Sequence, residues 1–451
     1  MAGMSKEIPE GDMDLSTVAL HEGSRMPRFA LTMAWWAVCS AMFYIVVGAT
    51  LAMAYGAPNA IIGMALSVVA YGLINNVISR YAADTGLSVA LFSRVLFGNV
   101  GAALATLIFF ATAIYYAVFE GSVMAVAASH YFPSVSYAVA ALIVVLYSVP
   151  LIFGSVQHWL DKLNGVLLPF YLLGLFTAVG VALGHYGYNP HWLALGVKPS
   201  TPSTGWIDCF VYYMGVWVLM MYTFDYARFG RKADAAYHGR INFGMPFYAV
   251  AFLLNGVVGI FLVATVPLDG ALSEVSVVLI ALKLMGLAGL LFVWITQTRI
   301  NTANFYLATV NMQAFFQKVI GLRWPKFVWA LIVGAIVYAL MLANVFSYIL
   351  QALAYQGVFV VAWVGIALTH MLSPRYHQMF GSSVEYHSDR VPAFNPGGIA
   401  AWLISTALGA MFMNAPGLLH TLSAPLTFIA SVVTYSLALA MARPSWYVKQ
   451  P

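Results

Sequence analysis

Chemistry in this sequence is concentrated where it is energetically least welcome. Within an otherwise apolar segment from about Leu287 to Val310, the chain reads Thr296-Gln297-Thr298-Arg299-Ile300-Asn301-Thr302-Ala303-Asn304. At helical spacing Gln297, Asn301 and Asn304 share one face, and Thr298, Arg299 and Thr302 an adjoining one. Inside a bilayer each such group is costly without a partner or water, and an arginine is the costliest. One or two of them would serve as hydrogen-bonding glue between helices. A whole face of them points instead to a solute or ion pathway. Glu120, a lone carboxylate in another apolar segment, is a second functional candidate on the same ground.

The elements that must position these groups follow from composition. The 451 residues are 62% hydrophobic and only 8% charged, against about a quarter charged in a soluble domain, so the chain is a polytopic membrane protein. Cys39 and Cys209, both in apolar segments, make no disulfide framework, and no residue pattern suggests a metal site or a bound cofactor. The net charge of +5 lies in loops and reports topology rather than a nucleic-acid partner. Met1–Arg28 is polar and reads as a tail, not a cleavable signal.

With about 20 apolar residues per crossing, twelve helices are expected, at 29–55, 58–79, 98–128, 134–154, 163–185, 207–228, 241–266, 286–313, 327–345, 347–371, 396–414 and 418–442. If the N-terminus lies inside, all but three of the 20 Lys and Arg residues fall on inside ends and loops. Lys198 and Lys283 fall outside and Arg299 lies within a helix. That bias predicts both termini in the cytoplasm and a multi-pass protein of the plasma membrane, the inner membrane in a bacterium. Leu272–Met285 is too short to cross with its neighbour and is expected to form an outside amphipathic helix over the entrance.

Two helices look interrupted, the first at Tyr44-Ile45-Val46-Val47-Gly48 and the sixth at Tyr222-Thr223-Phe224-Asp225. Breaks at corresponding places in two five-helix halves point to an inverted repeat with a mid-membrane site, where unwound backbone faces protein or water. The expected division is a tail (1–28), a first repeat (29–185), an outside linker (186–206), a second repeat (207–371), an inside loop (372–395), two further helices (396–442) and a second tail (443–451).

Four stretches carry a resemblance to the nucleobase–cation symporter family, the cytosine-permease-like transporters. Asp84-Thr85-Gly86-Leu87 followed by Ser93-Arg94-Val95-Leu96-Phe97-Gly98 is similar to the family's T-G-L…S-R-x-x-F-G. Asp225-Tyr226-Ala227-Arg228-Phe229-Gly230 resembles D-F-x-R-F-G. Phe153-Gly154 with Leu160, Leu163 and Pro169 resembles the approach to helix 5. Thr298 to Asn304 is similar to S/T-T-N-x-A-A-N. The resemblance implies an all-α integral membrane fold of 12 transmembrane helices, a 5+5 inverted-repeat (LeuT-like) core plus two extra helices. It also implies a planar heterocyclic substrate stacked between aromatic side chains of helices 3 and 6. Transferred residue by residue, the helix 3 positions are Tyr116 and Glu120, with Tyr115 and Phe119 beside them. On helix 6 the register falls at about Val216, with Trp217 the expected ring, and the helix 8 amide is Asn304.

Two departures matter. The sodium site of the family's sodium-coupled members uses adjacent hydroxyls on helix 8 and carbonyls at the helix 1 break; here those positions are Thr298 and Arg299. A guanidinium cannot ligate Na⁺ and places a fixed charge where the ion would sit. Arg299 is therefore expected to stand in for sodium by bonding the carbonyls near Ala41 to Tyr44; turning into a watery vestibule is the alternative. Glu120 stands where relatives hold an amide or a small residue, and a carboxylate only accepts until protonated. It is expected to carry H⁺ or to accept from a solute's N–H groups, with structural pairing to Arg299 as the other reading.

On helix 10, Asn344, Ser347, Tyr348, Gln351 and Tyr355 suggest a gate or cavity lining, as do Gln297 and Asn301; helix–helix bonding explains them equally well. Asn75 and Asn76 read as packing contacts, and Asp225 with Arg228 as a fastening of the end of helix 6. The histidines, among them His130, His158, His185, His191 and His238, are scattered singly, which argues against an enzyme. Polar groups clustered at mid-depth argue against a channel. The expectation is proton-coupled, Na⁺-independent import of a nucleobase such as cytosine or a purine. The alternatives are a vitamin or ureide carrier (thiamine, pyridoxine, allantoin, hydantoin) or, less favoured, a Na⁺ symporter.

Overall fold

The computed structural model describes residues 19–20, 22–153, 155–374, 376, 378 and 390–449, the side chains of 155–165 excepted. The readings placed on Lys6, Gly154, His158, Leu160, Lys162, Leu163 and Arg375 lie outside that description. Among the described residues no strand forms; one isolated bridge joins Met26 and Gly230.

The chain begins with α1 (Arg28–Trp36), a 3₁₀ turn (Ala37–Ser40) and α2 (Met42–Tyr55), then α3 (Ala57–Thr85), the short α4 (Val89–Phe97), α5 (Ala103–Tyr131), α6 (Tyr137–Ser148) and α7 (Ser155–Tyr186). The following stretch holds α8 (Gly205–Met214) and α9 (Val218–Ala227). Next comes α10 (Lys232–Thr265), with π-helical turns at His238–Asn242 and Ala249–Leu254. The chain continues through α11 (Ser276–Met285), α12 (Leu287–Ile320), α13 (Lys326–Leu342), α14 (Ile349–Leu372), α15 (Pro396–Met413) and α16 (Ser423–Met441).

By length and hydropathy seven described helices can cross a membrane, or nine when two bent pairs count as single spans. The bent pairs are α1 with α2, at 44°, and α8 with α9, at 43°. α6 and α13 are apolar but short. Although α12 has 34 residues, it falls outside the apolar set because Gln297, Arg299, Asn301 and Asn304 interrupt its run. Within 272–285 a helix is present as α11, with Val277, Val278 and Ile280 buried against the helices around it.

Both interruptions lie earlier than expected. In the first helix the extended residue is Ala41 (φ −64°, ψ 124°), not the Tyr44–Gly48 stretch, which is helical. Gly48 serves packing: a Cβ there would collide with the Cα of Gly256 on α10. In the sixth, helix stops at Met214 and resumes at Val218, whereas Tyr222–Asp225 is helical. Gly215 sits at this break because a Cβ would collide with the carbonyl of Leu353 on α14. Asp225 nevertheless fastens the end of α9, accepting the Val89 N–H of α4 at 2.8 Å.

The Gly48–Gly256 approach makes a packing prediction. Gly48→Ala puts a methyl against backbone that cannot step aside, at a cost of roughly 1–3 kcal/mol. At Gly256 the added methyl meets the Met64 thioether, which can yield. Thermal melting of the purified protein should show a clearly larger loss for Gly48→Ala than for Gly256→Ala; equal losses would refute the assignment.

Candidate functional site

The two interruptions meet α5 and α12 around a cavity of about 90 Å³, several times the roughly 10–15 Å³ that one water needs. Trp35, Val38 and Ala41 enter from α1 and the 3₁₀ turn, and Phe43 and Tyr44 from α2. Tyr116 and Glu120, one helical turn apart, come from α5. The sixth helix supplies Val216, Leu219, Tyr222 and Tyr226. From α12 come Arg299, Ile300, Ala303, Asn304 and Leu307, a 3–4 spacing that keeps one face toward the space.

The walls are aromatic and aliphatic and the polar groups few. Five polar atoms on the cavity residues lack a hydrogen-bond partner among the described residues: Trp35 Nε1, Glu120 Oε2, Asn304 Nδ2, Tyr116 Oη and Tyr222 Oη. Buried polar groups are normally bonded, so these atoms have hydrogen-bonding capacity left toward the cavity. A carboxylate, an amide and two hydroxyls supply acceptors and donors for the edge of a small polar molecule. Arg299, half-buried, donates to Tyr226 Oη at 3.5 Å.

At the first break a bond comes from Gln297 of α12. Its Oε1 accepts the Met42 N–H at 3.4 Å and its Nε2 donates to Thr296 Oγ1 at 2.9 Å. The Cys39 carbonyl on the other side of Ala41 accepts from Asn255 Nδ2 at 3.0 Å. Gln297 is thus a structural bridge to the break rather than a gate.

Tyr116, Glu120, Asn304 and Arg299 are brought together, while several other expected residues are not. Trp217 does not line the cavity. It turns its ring to Phe428 (centroids 5.5 Å) and Tyr71 (6.3 Å), and Val216 holds the lining position. The reason is the 3₁₀-like bonding through the break, Trp217 N–H to Met214 O at 3.1 Å, which sets the rotation of adjacent residues. Phe119 is buried between Phe43 (5.1 Å) and Phe346 (4.8 Å). Tyr115 lies 5.7 Å from the Tyr116 ring, behind it. Thr298 donates to Trp294 O at 2.7 Å and approaches Tyr147 Oη at 3.5 Å, on the α6 side. Asn301 also faces α6, donating to Ser148 Oγ at 2.9 Å.

Tyr348, Gln351 and Tyr355 lie on an exposed face of the tenth span, not on the cavity. The chain turns at Asn344 in the left-handed region (φ 53°), and the 3₁₀ turn Val345–Tyr348 then sends Phe346, Ile349 and Leu353 inward. Lining residues that the sequence alone does not single out include Trp35, Val38, Leu219 and Leu307; Trp35 and Val38 stand at i, i+3 just before the break.

No family model matches the chain, and no curated protein matches it by sequence. Solved structures do match. The fold they share with this chain is the LeuT-like architecture, five helices plus five with two more. Within it the chain is similar to Mhp1, a nucleobase-cation-symport-1 family transporter, in a closed state with bromovinylhydantoin bound (TM-score 0.71, 11% identity, 96% of this chain and 97% of that one). It is similar to inward-facing Mhp1 at TM-score 0.75, with 11% identity over 94% of this chain and 92% of that one. A Na⁺-coupled sialic acid symporter, substrate-bound and outward-open, follows at 0.58, with 13% identity over 96% and 93%. A manganese transporter of Eremococcus coleocola matches at 0.55, with 14% identity over 94% and 98%.

The register of the sixth helix can be tested without a ligand. With Cys39 and Cys209 changed to Ser, Val216→Cys should react with a small water-soluble thiol reagent roughly tenfold faster than Trp217→Cys, since reaction needs access from water. Equal rates would remove Val216 from the cavity.

Proposed function

We propose that the chain is a secondary transporter of the nucleobase–cation symporter class that imports a planar nitrogen heterocycle, cytosine or a purine, by alternating access. The observation that carries this reading is the set of unsatisfied polar atoms on Glu120, Asn304, Tyr116 and Tyr222 around a cavity walled by aromatic and aliphatic side chains. A heterocycle supplies what these groups need: a flat face for the rings and an edge of N–H donors and carbonyl or ring-nitrogen acceptors. Tyr116 provides the stacking surface from the third span, with Tyr44 and Tyr222 replacing the expected Trp217. Glu120 accepts from the solute's N–H groups and Asn304 both donates and accepts.

Arg299 occupies the coupling position. It lines the cavity beside Val38 and Ala41 of the first break, where a fixed guanidinium charge substitutes for a sodium ion. Coupling then falls to a proton on Glu120. This sets the chain apart from the neighbour named as Na⁺-coupled. With the two five-helix repeats at 29–185 and 207–371 and both termini cytoplasmic, Trp35, Leu219, Tyr222 and Tyr226 line the cavity from the cytoplasmic side of the breaks, and Phe43 and Tyr44 from the outer side of the first. A cationic vitamin such as thiamine is the second reading, favoured by a carboxylate among aromatic rings.

Uptake of radiolabelled cytosine into proteoliposomes, with Na⁺ and the pH gradient varied separately, tests this. Wild-type accumulation should ignore Na⁺ and follow the pH gradient. Glu120→Gln should abolish the response of accumulation to the pH gradient, because an amide keeps an acceptor oxygen but carries no exchangeable proton. Strict Na⁺ dependence would refute the role of Arg299, and competition by thiamine but not cytosine would favour the second reading.

A further inference from the structure

Asn255 is not among the residues that line the cavity, yet it holds backbone on which that cavity is built. It lies directly after the π-helical turn Ala249–Leu254, and such turns recur at functional positions. Asn255 is fully buried and bonded at both ends of its amide. Nδ2 donates to the Cys39 carbonyl at 3.0 Å, and Oδ1 accepts from Tyr171 Oη at 3.0 Å. Tyr171, also fully buried, stacks on Phe292 of α12 with centroids 5.7 Å apart. The chain of contacts therefore runs from α7 through α10 to the 3₁₀ turn of the first span.

The position of the accepted carbonyl gives this chain its significance. Cys39 precedes the extended residue Ala41, so its carbonyl belongs to the backbone that the interruption removes from regular helix. On the far side the Met42 N–H is taken by Gln297. One acceptor and one donor at the break are thus held by side chains on different helices, and the residues between and beside them line the cavity. Because an amide can donate at one end while accepting at the other, Tyr171 fixes which end of Asn255 faces the break.

We infer that Asn255, oriented by Tyr171, is a positioning residue that sets the shape of the first break and thereby the cavity wall formed by Val38, Ala41, Phe43 and Tyr44. The inference rests on this cavity being the solute site, but its first test needs no solute. Cys39 is fully buried within the break and serves as a native reporter of its opening.

In a Cys209→Ser background, N-ethylmaleimide should modify Cys39 roughly three- to tenfold faster in Asn255→Ala than in the parent, the effect of losing one hydrogen bond. Tyr171→Phe keeps the ring and its packing and should accelerate the reaction by a smaller factor. Because the two residues act in series, the double variant should react no faster than Asn255→Ala alone. Cys209, probed in a Cys39→Ser background, should keep its parent rate in all variants. Cytosine uptake should show a raised KM with the maximal rate nearly kept. An unchanged Cys39 rate in Asn255→Ala, full additivity of Tyr171→Phe, or equal acceleration at Cys209 would each overturn the inference. Should Asn255→Ala fail to fold, Tyr171→Phe decides alone: a parent-like Cys39 rate refutes it. Absent cytosine uptake beside an accelerated Cys39 would refute the proposed solute and leave the inference standing.

Discussion

The structure depends on satisfying backbone polar groups where the first span stops being a helix. In apolar surroundings an unpaired carbonyl or amide costs several kcal/mol, so an interruption survives only if other elements bond to it. Asn255 reaches the Cys39 carbonyl and Gln297 the Met42 N–H. The residues between these bonds are freed from helical register, and Val38 and Ala41 turn toward the cavity. The polar stretch of α12 is therefore divided in use: Gln297 supports the break, Asn301 joins α6, and Arg299 and Asn304 face the cavity.

Close approach of the helices is the second requirement, and small residues provide it. Gly48 lies against Gly256, Gly215 against the backbone at Leu353, and Gly63 against Cys209. With no hydrophobic drive between helices in lipid, such contacts gain van der Waals packing instead. They draw α2, α3, α8, α10 and α14 into one body around both breaks. The larger side chains then gather where the backbones diverge, which explains the aromatic and aliphatic walls around the cavity.

The fold does not choose the solute. The solved structures of similar fold are named for a hydantoin-binding nucleobase–cation symporter, a sialic acid symporter and a manganese transporter. The cavity of this chain presents a carboxylate at Glu120, an amide at Asn304 and a guanidinium at Arg299. These three groups come from two helices only, α5 and α12.

The sequence by itself determined the membrane class, the succession of helices and the importance of the stretch around Arg299, because apolar runs and buried polar groups carry strong local free energies. The observed elements keep close to the expected spans; 29–55 corresponds to Arg28–Tyr55, and 396–414 to Pro396–Met413. Glu120, Tyr116 and Asn304 could be assigned to one site from residue type and resemblance. The break at Ala41, the inward turn of Val216 in place of Trp217, and the outward face of Tyr348 and Gln351 were decided by tertiary structure alone. Ala41 carries no local mark, since Asn255 and Gln297, hundreds of residues away, supply the bonds that permit its conformation. Rotation after a 3₁₀ turn likewise depends on what packs against it, such as the Leu353 carbonyl at Gly215. A helix is specified by the residues within it, whereas an interrupted helix is specified by its neighbours.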